Sequence, residues 1–495
     1  MRNYFFAIAA LAAVVTPAHA QIARIVVDAL PPSQGNPFRT SLAPTIYVTA
    51  AVFDSLTRFD ADAVLQPALA IKWENIDPLT WRFHLRPGVT FSNGAPFTSD
   101  AVLNAVAYLV SGESAREGMK RELTILKSAR AVDDLTVDIV TTEPVPLFPR
   151  YVTSMPLVEP TLWRKLGRDE FALQPVGTGP FKVDKITPNR WTLSKSATSW
   201  RQAKIDGVDI RALPDTASRV QALEARQVDI AMLVGPDNIG SIEAAGARVN
   251  TYVLPSVYGM SFITTREGPF KDVRVRRALN MGVNRARIVE GLLAGRTVTA
   301  NQPAARSSYG YNPQVPEYAY DPTAAKKLLA EAGYPNGLSF VLDAPTGASA
   351  ADTSVFQQVQ ADFKDIGVKM DIETMTNTMY LNKLANVEFT GDAFTVPWAS
   401  WPTLDVWRTM QIHSCLRPVQ WFCEPSMMPK MMAALSEWSE PKALKLRQEL
   451  GQIYHDQAPA VFLYELPVFI GLGPKVKTFD MFSNLIAYDR LEVTK

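Results

Sequence analysis

Short strand-like runs alternate with helix-patterned segments along almost the whole chain, and no other feature limits the fold as strongly. Residues 23–30 (ARIVVDAL) read as a buried strand, and residues 46–56 as a helix with Phe53 and Leu56 on one side. Residues 81–85 alternate apolar and polar side chains, the pattern of a half-buried strand. Asn93-Gly94 marks a hairpin turn, and Thr98, Ser99 and Asp100 offer caps for a helix over 101–110. Further on, Asp321 stands at an N-cap, Pro322 fits the first helical position and Gly333 stops the helix. Strands at 338–342 and 368–372 flank a helix at 355–363. This succession predicts an α/β architecture with mixed or parallel sheets. A chain of 495 residues is also too long for one ordinary core, so two or more domains are expected.

The N-terminus predicts export. Arg2 is followed by an uncharged apolar run over 4–15, then Pro17 and Ala18-His19-Ala20, a cleavage site of the A-x-A kind. The run is too short to span a bilayer comfortably and reads as a signal peptide cut after Ala20; an uncut anchor is the alternative. No cysteine lies near the cut, so no lipid anchor is expected, and no later apolar run is long enough for a membrane span. Without Arg2 the acidic and basic residues balance, which argues against a nucleic-acid partner or a polybasic membrane clamp. Cys415 and Cys423 form an even pair, read as a local disulfide stabilising by roughly 2–3 kcal/mol in the chain-entropy picture. A metal site would need two more ligands, and of His84, His413 and His455 only His413 is near in sequence. Gly177-Thr178-Gly179-Pro180 lacks phosphate-loop spacing and reads as a structural turn. No nucleophile elbow and no HExxH motif is present, so catalysis is not expected, nor is a cofactor.

Five segments, in order, resemble the extracellular solute-binding proteins of the peptide/nickel family of ABC importers. They are WRFHLRPGVTFSNGAPFTSDAV (81–102), PVGTGPFKV (175–183), PFKDVRVRRALNMGVNRARI (269–288), YDPTAAKKLLAEAGYPNG (320–337) and APAVF (458–462). The resemblance implies a two-lobed periplasmic-binding-protein fold with mixed sheets, two hinge crossings and an extra subdomain in the first lobe. Lobe 1 would comprise 21–255 and 472–495, with the subdomain at 45–173, and lobe 2 would comprise 256–471. The crossings would lie near 252–262 and 461–470, both apolar and β-favouring. It further implies a monomer in the periplasm that captures a small molecule or short peptide between its lobes. The loaded protein would then hand its solute to permease subunits in the inner membrane.

The same resemblance points to residues 396–410, VPWASWPTLDVWRTM, as one wall of the cleft. Trp398, Trp401 and Trp407 are its candidate ligand-binding residues, with core packing as the competing reading. Peptide binders of the family carry an Asp three residues after the first Trp, where it pairs with the terminal ammonium. Here that position is Trp401, and Asp405 is the displaced substitute. The Arg that holds a dipeptide's carboxylate is also missing from the matching segment 352–355, DTSV. Tyr47 and Tyr258 fit a cleft wall or a packed core equally, and Arg417 is a possible anion contact or a solvated loop residue. The expected ligand is therefore not a simple dipeptide and relies on aromatic stacking. Peptide, nickel-chelate or haem capture by the same fold is the alternative. The resemblance also places the Cys415–Cys423 loop beside the cleft, in a structural role.

Overall fold

A computed structural model describes residues 20–40, 43–346 and 351–494. The leader expected at 1–20 lies, except for Ala20, outside the described residues. Ten strands form one mixed sheet: β1 (Ile22–Val27), β2 (Phe181–Thr187), β3 (Arg190–Lys195), β4 (Gly207–Ala212), β5 (Ile230–Val234), β6 (Arg248–Phe262), β7 (Leu338–Pro345), β8 (Val368–Met375), β9 (Ala393–Ala399) and β10 (Ala460–Leu472). Their order is β8-β7-β9-β6-β10-β5-β1-β4-β3-β2. β1 is parallel to both neighbours, β4 and β5, and β7 is parallel to β8 and β9. The sheet is joined through its middle by the two longest strands, β6 and β10, which pair antiparallel.

Those two strands pass from one lobe to the other. The first half of β6, from Arg248 to Val253, pairs with Leu472 to Pro467 of β10; pairing resumes at Val257 opposite Glu465 after a shift of register. The C-terminal half of β6 then carries β9 on its other edge. At Gly259 the strands approach so closely that a Cβ would lie 2.1 Å from the Val461 carbonyl oxygen, so no larger residue fits.

The buried apolar residues follow the same division. One cluster gathers residues before 233 with Val468, Ile470, Leu472 and the C-terminal segment, including Tyr488 and Leu491. Two more are built from residues between 257 and 464. Val468 and Ile470 thus pack with the first cluster, a few residues earlier than the 472 expected. The strand runs on without a break in composition, so the sequence holds no mark of the change. A four-stranded antiparallel sheet, Ala70–Asp77, Thr80–Leu85, Thr136–Thr141 and Leu126–Asp133, lies within the 45–173 segment and is covered by the helix Ser99–Val110. Its buried residues Phe83, Val137 and Ile139 belong to the first cluster.

Local signals explain many boundaries. Asp321 accepts from the Ala324 amide at 2.8 Å and starts the helix Pro322–Glu331, as read from the sequence. Of the two leucines expected to face the core there, Leu329 is buried and Leu328 partly so. The helix expected over 46–56 is shorter, Ile46–Val52, because the chain turns extended at Phe53. The Gly177-Thr178-Gly179 turn is a packing device: a Cβ on Gly177 would fall 2.1 Å from the Val52 carbonyl oxygen.

Candidate ligand cleft

The tryptophan-rich segment does not lie on one surface. Trp398 is on β9 and fully buried; its indole donates to Ser261 at 3.0 Å. It stacks on His413 with centroids 3.5 Å apart and meets Tyr454 and Phe462 edge-on. Trp407 is on the helix Val406–Ile412, buried, and donates to the Met431 carbonyl at 3.0 Å. Both are core residues of the second lobe. Trp401 is different. It sits in the turn between β9 and that helix and packs with Phe59 and Leu404. It also lines a void open to solvent. The opposite walls come from the first lobe: Ile46, Ala50, Phe53, Asp54 and Met119 among others.

Asp405 is not available to a ligand. Its carboxylate takes two hydrogen bonds from Arg447, each 2.8 Å, and also accepts from the Trp407 amide as the helix N-cap. Both side chains are almost fully buried, 1% and 2% exposed. Burial alone pulls the Arg447 guanidinium down, but the Asp405 charge and hydrogen bonds outweigh it and hold it above its ordinary value. The only carboxylate on the lining, Asp54, is likewise occupied: Thr178, Trp200 and Arg201 donate to it at 2.8, 2.9 and 2.8 Å.

The lobes touch around Trp401. Arg408 forms a double hydrogen bond with Glu122 of the first lobe, 2.8 and 2.5 Å. Thr153 donates to the Pro402 carbonyl at 3.2 Å. Arg150 meets the Thr403 carbonyl at 3.5 Å and lies over the rings of Tyr309 and Phe59. Burial lowers its pKa. Trp81 and Trp438 stack with centroids 6.1 Å apart.

The remaining candidates do not line this void. Tyr258 is buried among Phe356 and Tyr464 in the second lobe. Tyr47 is 4% exposed, on the first-lobe helix Ile46–Val52. Cys415 and Cys423 are joined in a disulfide. His413 Nδ1 accepts from the Trp421 indole at 3.2 Å, and no group of three or more metal-binding side chains occurs among the described residues. Arg417 lies over the Trp421 ring and donates to the Leu384 and Val419 carbonyls. Sequence reasoning missed Glu122, Arg150, Asp54 and Arg201. Their partners lie far away in the chain, 286 residues for Arg408–Glu122, and no local pattern announces such a pair.

This two-lobed α/β frame with a cleft between the lobes defines an extracellular solute-binding protein. Residues 64–415 match the family described as bacterial extracellular solute-binding proteins, family 5 Middle, and the chain belongs to that family. It is 27% identical over 457 residues to the dipeptide-binding protein of Escherichia coli, covering 83% of each chain. It is 28% identical over 384 residues to heme-binding protein A of Haemophilus influenzae, covering 69% of this chain and 68% of that one. In fold it is similar to the periplasmic binding protein DppA of Helicobacter pylori in complex with the peptide STSA. That match has a TM-score of 0.81, 21% identity, and 96% and 98% of the two chains. The agropinic acid complex of AgaA from A. tumefaciens matches with a TM-score of 0.78, 20% identity, and 96% and 99% coverage. The relatives are binding proteins of transporters, and among the described residues no helix is long and apolar enough to cross a membrane.

Proposed function

We propose that this protein works in the periplasm as a monomer, freed by cleavage after Ala20. In this reading it captures a small solute that is not a simple dipeptide and delivers it to the permease subunits of an ABC importer. It performs no catalysis. The lobes are hinged on β6 and β10 in this reading, with the register shift after Val253 as the bending point. Solute binding selects the arrangement in which the Trp401 turn meets the first lobe. One observation carries the choice of solute. The second-lobe segment 396–410 presents an indole, Trp401, to the void, while its one carboxylate is consumed by Arg447. A dipeptide's ammonium would be buried there without its counter-charge, which is costly. The names of the relatives, from dipeptide- to heme-binding, fit a frame whose ligand is set by such wall residues.

Calorimetry against unmodified dipeptides is expected to show no heat of binding. Native mass spectrometry of freshly isolated protein is expected to show a small retained molecule, and Trp401→Ala to release it. Tight binding of a plain dipeptide overturns this reading.

A further inference from the structure

The first lobe has a topological switch point at the end of β1. β4 lies on one side of β1 and β5, the next strand in sequence, lies on the other, all three parallel. In open α/β sheets, ligands bind in the crevice beyond the carboxyl ends of strands at such a point. The residue just beyond β1 is Asp28. Its Oδ1 is shielded from solvent and has no hydrogen-bond partner among the described residues. Burial raises the Asp28 pKa, against weaker lowering by its own and the Ala29 amide and by Arg219.

The cation whose charge acts on it, Arg219, is engaged elsewhere. Arg219 donates to the carbonyls of Leu213, Pro214, Met232 and Leu233 and to the Thr216 hydroxyl, at 2.7 to 3.0 Å. Tyr47 is close enough to feel the Asp28 charge, which adds to burial in raising its phenol. Its amide donates to the Pro44 carbonyl and its carbonyl accepts from Tyr488, while its hydroxyl has no hydrogen bond among the described residues. The Asp28 carboxylate oxygen is thus left open at the edge of the sheet where a ligand is expected. An unsatisfied buried carboxylate destabilises the empty protein, so its place there calls for a partner from outside.

Resting on the solute-binding reading above, we propose that Asp28 and Tyr47 form the polar anchor of the cleft. They receive a protonated amine of the solute, on the first lobe rather than at the second-lobe position that Trp401 fills. The carboxylate accepts from the ammonium and the phenol oxygen supplies a second contact. The solute is then an amine with an apolar or aromatic body.

Tyramine and its alcohol counterpart tyrosol share one skeleton and differ in the ammonium. Calorimetry is expected to show tyramine binding the wild-type chain. Asp28→Asn should weaken tyramine at least tenfold and Tyr47→Phe severalfold, with tyrosol binding weaker and indifferent to Asp28→Asn. Thermal denaturation of the solute-free Asp28→Asn variant should give a midpoint equal to or above wild type, which separates lost recognition from lost folding. Equal tyramine affinity in wild type and Asp28→Asn, or no affinity in either, overturns the anchor. If the anchor fails while Trp401→Ala still releases a retained molecule, the cleft reading stands. If Asp28→Asn weakens tyramine but Trp401→Ala releases nothing, the anchor stands and the Trp401 wall falls.

Discussion

Asp405 in the second lobe and Asp28 in the first lobe put burial to opposite uses. Asp405 is deeper, but Arg447 and a helix amide take up its oxygens. Asp28 is less deep, and one of its oxygens has no partner among the described residues. Trp398 and Trp401 differ in place: the first is sealed in a stack on His413 and donates to Ser261, the second lines the void. Aromatic density therefore does not locate the binding wall.

The contrast can be broken most directly at the buried pair. Arg447→Met leaves the Asp405 carboxylate buried without its counter-charge. It should lower unfolding free energy by about 3–5 kcal/mol, read by denaturant titration. An Arg447→Met, Asp405→Leu double variant should recover most of that loss. A loss under about 1 kcal/mol for the single change would show that the pair is not the closed unit described here.

The two indoles sharpen the comparison with a crossed pair of effects. Trp398→Ala empties a packed core and should cost about 3–5 kcal/mol of stability. Trp401→Ala, with one face on the void, should cost about 1–2 kcal/mol in the same titration. It should however lower solute retention tenfold or more. Equal stability losses would erase the distinction.

The smallest effect is a pH dependence confined to the second lobe. Burial, with Arg417 and Arg408 nearby, holds the His413 pKa well below its ordinary value, and burial lowers His455 as well. The unfolded chain therefore takes up these protons first. Stability is full above pH about 6.5 and declines as pH falls below it, by about 1.4 kcal/mol per pH unit for each histidine at most. Unfolding midpoints measured between pH 5 and 8 check this, and His413→Gln should flatten the decline.

Much of the fold could be read from the sequence because its elements carry local signals. Asp321 and Pro322 open their helix as expected, and the strands at 338–345 and 368–375 follow their apolar runs. The family was legible because motifs spread from 81 to 462 kept their order. The site was less so. Trp398, Trp401 and Trp407 look alike in a string of letters, and only the turn after β9 turns one of them toward the first lobe. Asp28 looked like the end of a strand, since an unmet hydrogen bond leaves no trace in sequence. The partners of Arg408 and Asp54 come from other parts of the chain.

The crossing of β6 and β10 has one more consequence. Pro255 and Pro467 both lie at the shift of register, and neither has an amide hydrogen to give. The ladder is therefore thin at this point, so bending there would sacrifice few backbone bonds. The Pro255 carbonyl is also gripped by the amide and hydroxyl of Ser400, each at 3.0 Å, next to Trp401. In the proposed hinge motion this grip would carry the Trp401 turn along with the joint.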